Sequence, residues 1–169
     1  CGAARDFNDV LGLTLGTGLG AALYTNDKTE DADLWNYPFL YGIAEDYLST
    51  RWFTGRYQEL SGKSISGVKE LLETEDPLSL VKIIFSEFGE NLALFLLPVI
   101  EKNKSRIVVF GGNISNAFDH FIPAFRSRLV NNQVVLRKAL LNEDATLIGA
   151  ASSWKNFSQQ QGLNYIERN

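Results

Sequence analysis

Leu15-Gly16-Thr17-Gly18-Leu19-Gly20 places three glycines at alternate positions between two mostly apolar runs, Val10 to Leu15 and Gly20 to Tyr24. Each run is too short for a helix and is bounded by glycines, so the stretch predicts two strands joined by a tight turn. Glycine suits such a turn because it supplies positive φ without steric cost. The same spacing lets the backbone approach a ligand and aims several N–H groups at one spot, with the Thr17 hydroxyl as a further donor. Such a turn can hold phosphate oxygens. A glycine-rich hairpin with no ligand would read the same way from this segment alone.

Two named phosphate motifs are excluded. Gly16-x-Gly18-x-x-Ala21 satisfies a loose dinucleotide fingerprint, but that fingerprint opens a helix, and Ala21 to Tyr24 gives way too soon to Asn26-Asp27-Lys28. Gly62-Lys63-Ser64 has the end of a P-loop, yet Tyr57 stands where its first glycine belongs and no strand precedes it.

The rest of the chain alternates helix and strand. Asn26 to Asp33 is polar and acidic and predicts a solvent loop. Gly42 to Leu60 carries Ile43, Tyr47, Leu48, Trp52 and Phe53 at helical spacing, and Ser61-Gly62 closes it. A short helix follows from Ser66 to Glu73. The next is capped by Asp76 with Pro77 at its first position, and runs to about Lys102. It turns Leu80, Ile84, Phe88, Leu92, Phe95 and Val99 towards the core, with Pro98 near a kink or end. Arg106 to Phe110 predicts a buried strand leading into Gly111-Gly112-Asn113. Ser115 is the expected N-cap of a helix to Leu129, Gln133 to Ala139 a strand, and Asp144 to Trp154 a last helix, while the tail from Lys155 has little periodicity. This order predicts an α/β fold with one sheet covered by helices. Gly111-Gly112-Asn113, between a strand and a helix, is a site by position, because ligands gather beyond the carboxyl ends of such strands. A plain β-to-α turn would look similar.

Composition removes several chemistries. One histidine, His120, and one cysteine, Cys1, cannot make a His/Cys zinc site or an internal disulfide. His120 reads as a helix residue near the core, and no nucleophile-elbow motif is present. Sixteen basic against twenty acidic residues, a formal charge of -4, argue against nucleic-acid contact by this segment. The richest apolar run, Leu92 to Ile100, has nine residues, where a membrane span needs about 20. No signal-peptide core is present at the start, and a cytoplasmic protein is expected. The 169 residues contain no methionine and open on Cys1-Gly2-Ala3-Ala4, which predicts one domain cut from a longer protein. Asp33, Glu45, Asp46 and Glu73 are the acidic residues that could serve a carboxylate role, although any one such residue is more often a solvated surface charge.

Four blocks in order, Leu13 to Gly20, Glu45-Asp46-Tyr47-Leu48-Ser49, Ile107 to Ser115 and Asp144 to Ala151, resemble the C-terminal half of a ROK-family sugar kinase (repressor, open reading frame, kinase), within the actin-like ATPase superfamily. The resemblance implies a ribonuclease-H-like lobe, a mixed central sheet covered by helices, with residues 1–169 as a single C-terminal lobe and the N-terminal lobe outside this chain. It implies ATP and Mg²⁺, with Gly16, Thr17 and Gly18 on the phosphates and Gly111, Gly112 and Asn113 on the adenosine side. On the sugar side Glu45 matches a family glutamate directly. Asp33 and Asn36 stand where the family has the glutamate and histidine of a Gly-Glu-x-Gly-His segment. The family's zinc-binding cysteines are absent, so no zinc is expected. The family's catalytic base is an aspartate of an Asn-Asp pair lying well before the glycine turn. Only fifteen residues precede Gly16, so the base is expected upstream, and Asn8-Asp9 stands too close to the turn to supply it. The implied activity is transfer of the ATP γ-phosphoryl group to a hydroxyl of a hexose or N-acetylhexosamine, with a homodimer among the allowed assemblies. The alternatives are a sugar-sensing regulator of the same family, with its DNA-binding domain upstream, and a degenerate structural lobe.

Overall fold

The computed structural model describes residues 3–4, 7–26, 28–75, 79–129 and 134–139, all within one compact unit, Cys1–Ala139. The expected helix Asp144 to Trp154, the motif block Asp144 to Ala151, the tail from Lys155, and the cap at Asp76 and Pro77 lie outside the described residues.

The two apolar runs around the glycine turn form β1 (Val10–Leu15) and β2 (Leu19–Thr25), paired antiparallel in the register Val10 to Tyr24 through Leu15 to Leu19. β3 (Lys28–Asp31) continues the antiparallel order on the far side of β2. This corrects the expected loop over Asn26 to Asp33. All four β3 residues are exposed, so no apolar alternation marks the segment, and pairing with β2 alone makes it a strand. On its other edge β1 pairs in parallel with β6 (Ile107–Gly111), which pairs in parallel with β7 (Val135–Lys138). The sheet order is β3-β2-β1-β6-β7, a mixed sheet.

Between β3 and β6 come a short hairpin, β4 (Pro38–Phe39) with β5 (Gly42–Ile43), and four helices: α1 (Ala44–Leu48), α2 (Thr50–Ser61), α3 (Val68–Glu73) and α4 (Leu80–Asn103). The single helix expected over Gly42 to Leu60 is therefore two. Ser49 takes an extended conformation between them (φ −126°, ψ 174°), and Gly62, at φ 71°, ends α2. α4 runs through Pro98, whose missing N–H costs one helical hydrogen bond without ending the helix.

β6 leads through Gly112 into a 3₁₀ turn (Asn113–Ala117) and α5 (Phe118–Ser127). Ser115 is inside the 3₁₀ turn, where its hydroxyl donates to the Gly112 carbonyl at 2.7 Å, and so does not cap α5 as expected. His120 lies on α5 as expected but is exposed, its ring 5.1 Å from that of Phe85.

One face of the sheet carries the core. Leu11 pairs with Val108 and Leu13 with Phe110, so these side chains share a face, and all four are buried together with residues of α4 and α5. Phe53 of α2, Phe88 of α4 and Phe121 of α5 form a chain of rings 4.5 Å and 5.4 Å apart, and Phe110 joins it from β6. By length and composition α4 could cross a membrane, with mean hydropathy 1.7 over an 18-residue window, more than its nine-residue run foretold. Half of that window is buried inside the protein, where Ile84, Phe85, Phe88, Leu92 and Leu96 are fully enclosed.

Candidate functional site

Strands β1 and β6 run side by side in the same direction, with Thr14 opposite Gly111, so the glycine turn after β1 and the glycine pair after β6 emerge at the same end of the sheet. They touch there. Gly112 has φ 81° and ψ 174°, and a Cβ on it would lie 2.3 Å from the Leu15 carbonyl oxygen. Only glycine fits that backbone conformation and that gap. The two segments singled out from sequence thus form one surface at the carboxyl ends of adjacent parallel strands.

Within the turn the glycines serve a different purpose from the one expected. Positive φ among described glycines is confined to Gly62 and Gly112, so Gly16, Gly18 and Gly20 do not supply left-handed backbone. What Gly18 supplies is space: a Cβ there would stand 2.8 Å from Glu45 Oε2. Nor do all the amides converge on a free spot. The Gly16 N–H donates to the Gly18 carbonyl at 3.1 Å and the Leu19 N–H to Glu45 Oε2 at 3.1 Å. The Thr17 and Gly18 amides, with the exposed Thr17 side chain, remain without a partner among the described residues.

Glu45 comes to the turn from α1. Its other oxygen, Oε1, is 3.5 Å from Nη2 of Arg51, whose Nη1 also pairs with Asp46 Oδ1 at 3.1 Å. Asp46 in turn accepts the Ile43 N–H at 3.1 Å and so caps the start of α1. Two carboxylates against one guanidinium leave a net negative charge beside the glycine turn.

The loop with Asp33 and Asn36 is fastened to the same helix start. The Glu45 N–H donates to the Trp35 carbonyl at 3.0 Å and the Ala44 N–H to the Tyr37 carbonyl at 2.9 Å. Asp33 and Asn36 are both exposed, and Asp33 adopts φ 46° with its N–H on Asp31 Oδ1 at 2.9 Å. Asn113 is exposed at the start of the 3₁₀ turn. Glu73, at the end of α3, is exposed. Asp9 sits at the amino end of β1, its carbonyl accepting the Arg106 N–H, so the strand's six residues, roughly 20 Å, separate it from the turn.

One contact was not foreseen. Thr50, the first residue of α2, donates both its N–H, at 2.8 Å, and its hydroxyl, at 2.9 Å, to the Gly16 carbonyl. The signal lay in Ser49-Thr50, two residues that favour helix starts, set inside a helical pattern. Ser49 itself is fully buried, and its hydroxyl has no partner among the described residues. No group of three His, Cys, Asp or Glu able to hold a metal occurs among the described residues. Two concave surfaces, one lined by Arg126, Leu129 and Leu136 and the other by Ile100, Ser105 and Arg128, open near the amino ends of β6 and β7, away from the glycine turn.

No protein-family model matches the chain. It is 27 % identical over 177 aligned positions to an N-acetyl-D-glucosamine kinase of Mannheimia succiniciproducens, which covers 85 % of this chain and 58 % of that protein. Among solved structures it resembles a glucokinase of Parabacteroides distasonis (TM-score 0.75, 17 % identity, 89 % of this chain, 59 % of that one). It also resembles a ROK family glucokinase of Streptomyces griseus in complex with glucose and AMPPNP (TM-score 0.66, 20 % identity, 89 % and 61 %). A ROK family transcriptional regulator, a homologue of the E. coli MLC protein, matches as well (TM-score 0.71, 17 % identity, 89 % and 46 %). The chain spans less than two thirds of the length of each of these proteins. The chain shares the fold of these ROK-family structures, a mixed sheet flanked by helices.

Proposed function

We propose that the chain is the C-terminal, nucleotide-binding lobe of an ATP-dependent sugar kinase that phosphorylates a hydroxyl of a hexose or N-acetylhexosamine, in a soluble protein of the cytoplasm. The observation that carries the reading is the meeting of the Gly16 turn and the Gly111-Gly112-Asn113 segment beyond the ends of β1 and β6. ATP would lie across that junction, phosphates on the Thr17 and Gly18 amides and nucleoside against Gly111, Gly112 and Asn113. The negative charge of Glu45 and Asp46, only half offset by Arg51, opposes a bare polyphosphate at the turn. A Mg²⁺ ion arriving with the nucleotide would remove that repulsion. Glu45 accepts hydrogen bonds next to the turn, which suits a carboxylate that also orients a sugar hydroxyl, with Asp33 and Asn36 on the adjoining loop. The base and the facing half of the cleft would come from the rest of the protein, and closure of the two lobes would complete the site.

The experiment is a coupled ADP-release assay on the full-length protein with Mg-ATP and a panel of hexoses and N-acetylhexosamines. Sugar-dependent ADP formation is expected, with N-acetylglucosamine first to be tried because the curated relative is an N-acetyl-D-glucosamine kinase. No ADP release with any sugar would overturn the kinase reading. The structural likeness to a ROK regulator favours, as second reading, a sugar sensor. In that case sugar binds without turnover, and a DNA-binding domain stands upstream.

A further inference from the structure

We infer that Thr50 is a positioning residue that sets the direction in which the phosphate turn presents its amides. The inference rests on the phosphate reading of Gly16, Thr17 and Gly18. A trans peptide unit is planar, so the carbonyl of one residue and the N–H of the next point in opposite directions. The Gly16 carbonyl accepts both the N–H and the hydroxyl of Thr50, at 2.8 Å and 2.9 Å. Holding that oxygen on α2 turns the Thr17 N–H to the opposite side, away from the helix. It also keeps a carbonyl oxygen from facing the anion.

The peptide from Gly18 to Leu19, the next but one, is pinned at both ends: its carbonyl accepts the Gly16 N–H and its N–H donates to Glu45 Oε2. Among the described residues the peptide from Thr17 to Gly18 has no anchor, and its N–H is the second amide without a partner. The anchoring residues, Glu45 and Thr50, stand on either side of the helix break at Ser49. The segment that carries the expected sugar carboxylate therefore also fixes the frame of the turn. Two donors on one carbonyl are more than hydrogen-bond satisfaction requires. The hydroxyl adds direction, because an N–H alone would let the Gly16 peptide rock about its single contact.

The substitution Thr50→Val removes the hydroxyl donor while keeping the backbone N–H and the side-chain shape, and Thr50→Ser restores the donor. In the full-length protein, hydrogen exchange at the Gly16 and Leu19 amides, whose hydrogen bonds hold the turn, should quicken about fivefold in T50V, the scale of one neutral hydrogen bond. KM for ATP should rise by a similar factor with KM for the sugar unchanged, and T50S should return both to the wild-type values. Wild-type exchange and wild-type KM for ATP in T50V would overturn the inference. So would an equal loss in T50S, which points to packing instead. If the wild-type protein binds no ATP while T50V still quickens exchange, the kinase reading fails and the hold of Thr50 on the turn stands. Should T50V not fold, T50A carries the same measurements.

Discussion

At the scale of single residues, the site depends on how closely backbones approach. Gly112 joins the β6 end to the β1 end, and its backbone conformation is one that only glycine populates comfortably. Gly112→Ala should cost at least about 3 kcal/mol, from the backbone strain together with the overlap on the Leu15 carbonyl. Urea unfolding of the variant against the wild type measures it, and an unchanged midpoint would contradict the contact. The glycines of the first turn join two strands as expected, but for a reason other than the expected one. Their pattern was legible, and their φ values were not, because the need for a missing Cβ at Gly18 arises from Glu45, 27 positions later. Thr50 was invisible as a site residue for the same reason: its partner, Gly16, is 34 positions away.

At the scale of elements, the platform under the site is an assembly of aromatic rings and close helix contacts. Arg56 of α2 binds Glu87 of α4 through Nε and Nη2 at 2.7 Å and 2.8 Å, and these hydrogen bonds, with a further one to Glu59, hold its guanidinium pKa above the usual arginine range. A partly exposed pair of this kind contributes on the order of 1 kcal/mol, and it ties α2, which begins at Thr50, to the core helix. α4 meets α5 closely at Gly89, where a Cβ would lie 2.2 Å from the Phe121 carbonyl oxygen and 2.9 Å from Ala124 Cβ. Helix propensity favours alanine over glycine by about 1 kcal/mol, but forcing two backbones apart in a packed core costs about 1–3 kcal/mol. Backbone is the unyielding partner here, so Gly89→Ala should be net destabilising, by up to about 2 kcal/mol. A raised thermal midpoint would mean that the helices meet less tightly. The existence of α4, β1, β2 and β6 was readable from apolar periodicity. The split at Ser49 and the strand β3 were not, because a tertiary hydrogen bond to Gly16 stabilises the first break and backbone pairing without burial makes the second.

At the scale of the whole molecule, the nucleotide should be felt in stability. A ligand that binds only the folded form stabilises it by about 2.7 kcal/mol at a hundred times its dissociation constant. Mg-ATP should therefore raise the melting temperature of the full-length protein by several degrees, more than Mg²⁺ or sulfate alone does. The absence of any shift, checked by differential scanning calorimetry, would favour an inert structural lobe. The measurement is independent of turnover and so separates a non-catalytic sensor from a protein with no nucleotide site.

By itself the sequence determined the class of the fold and the position of both glycine segments after strands, since both follow from local pattern. Only the tertiary structure decided that the two glycine segments meet, that Glu45 and Thr50 converge on the first of them, and that two amides of the turn have no partner among the described residues. Each of these depends on pairings between residues far apart in the chain. Hydrophobic periodicity reports which face a residue turns to the core, and carries no information about which distant hydrogen-bond partner waits there.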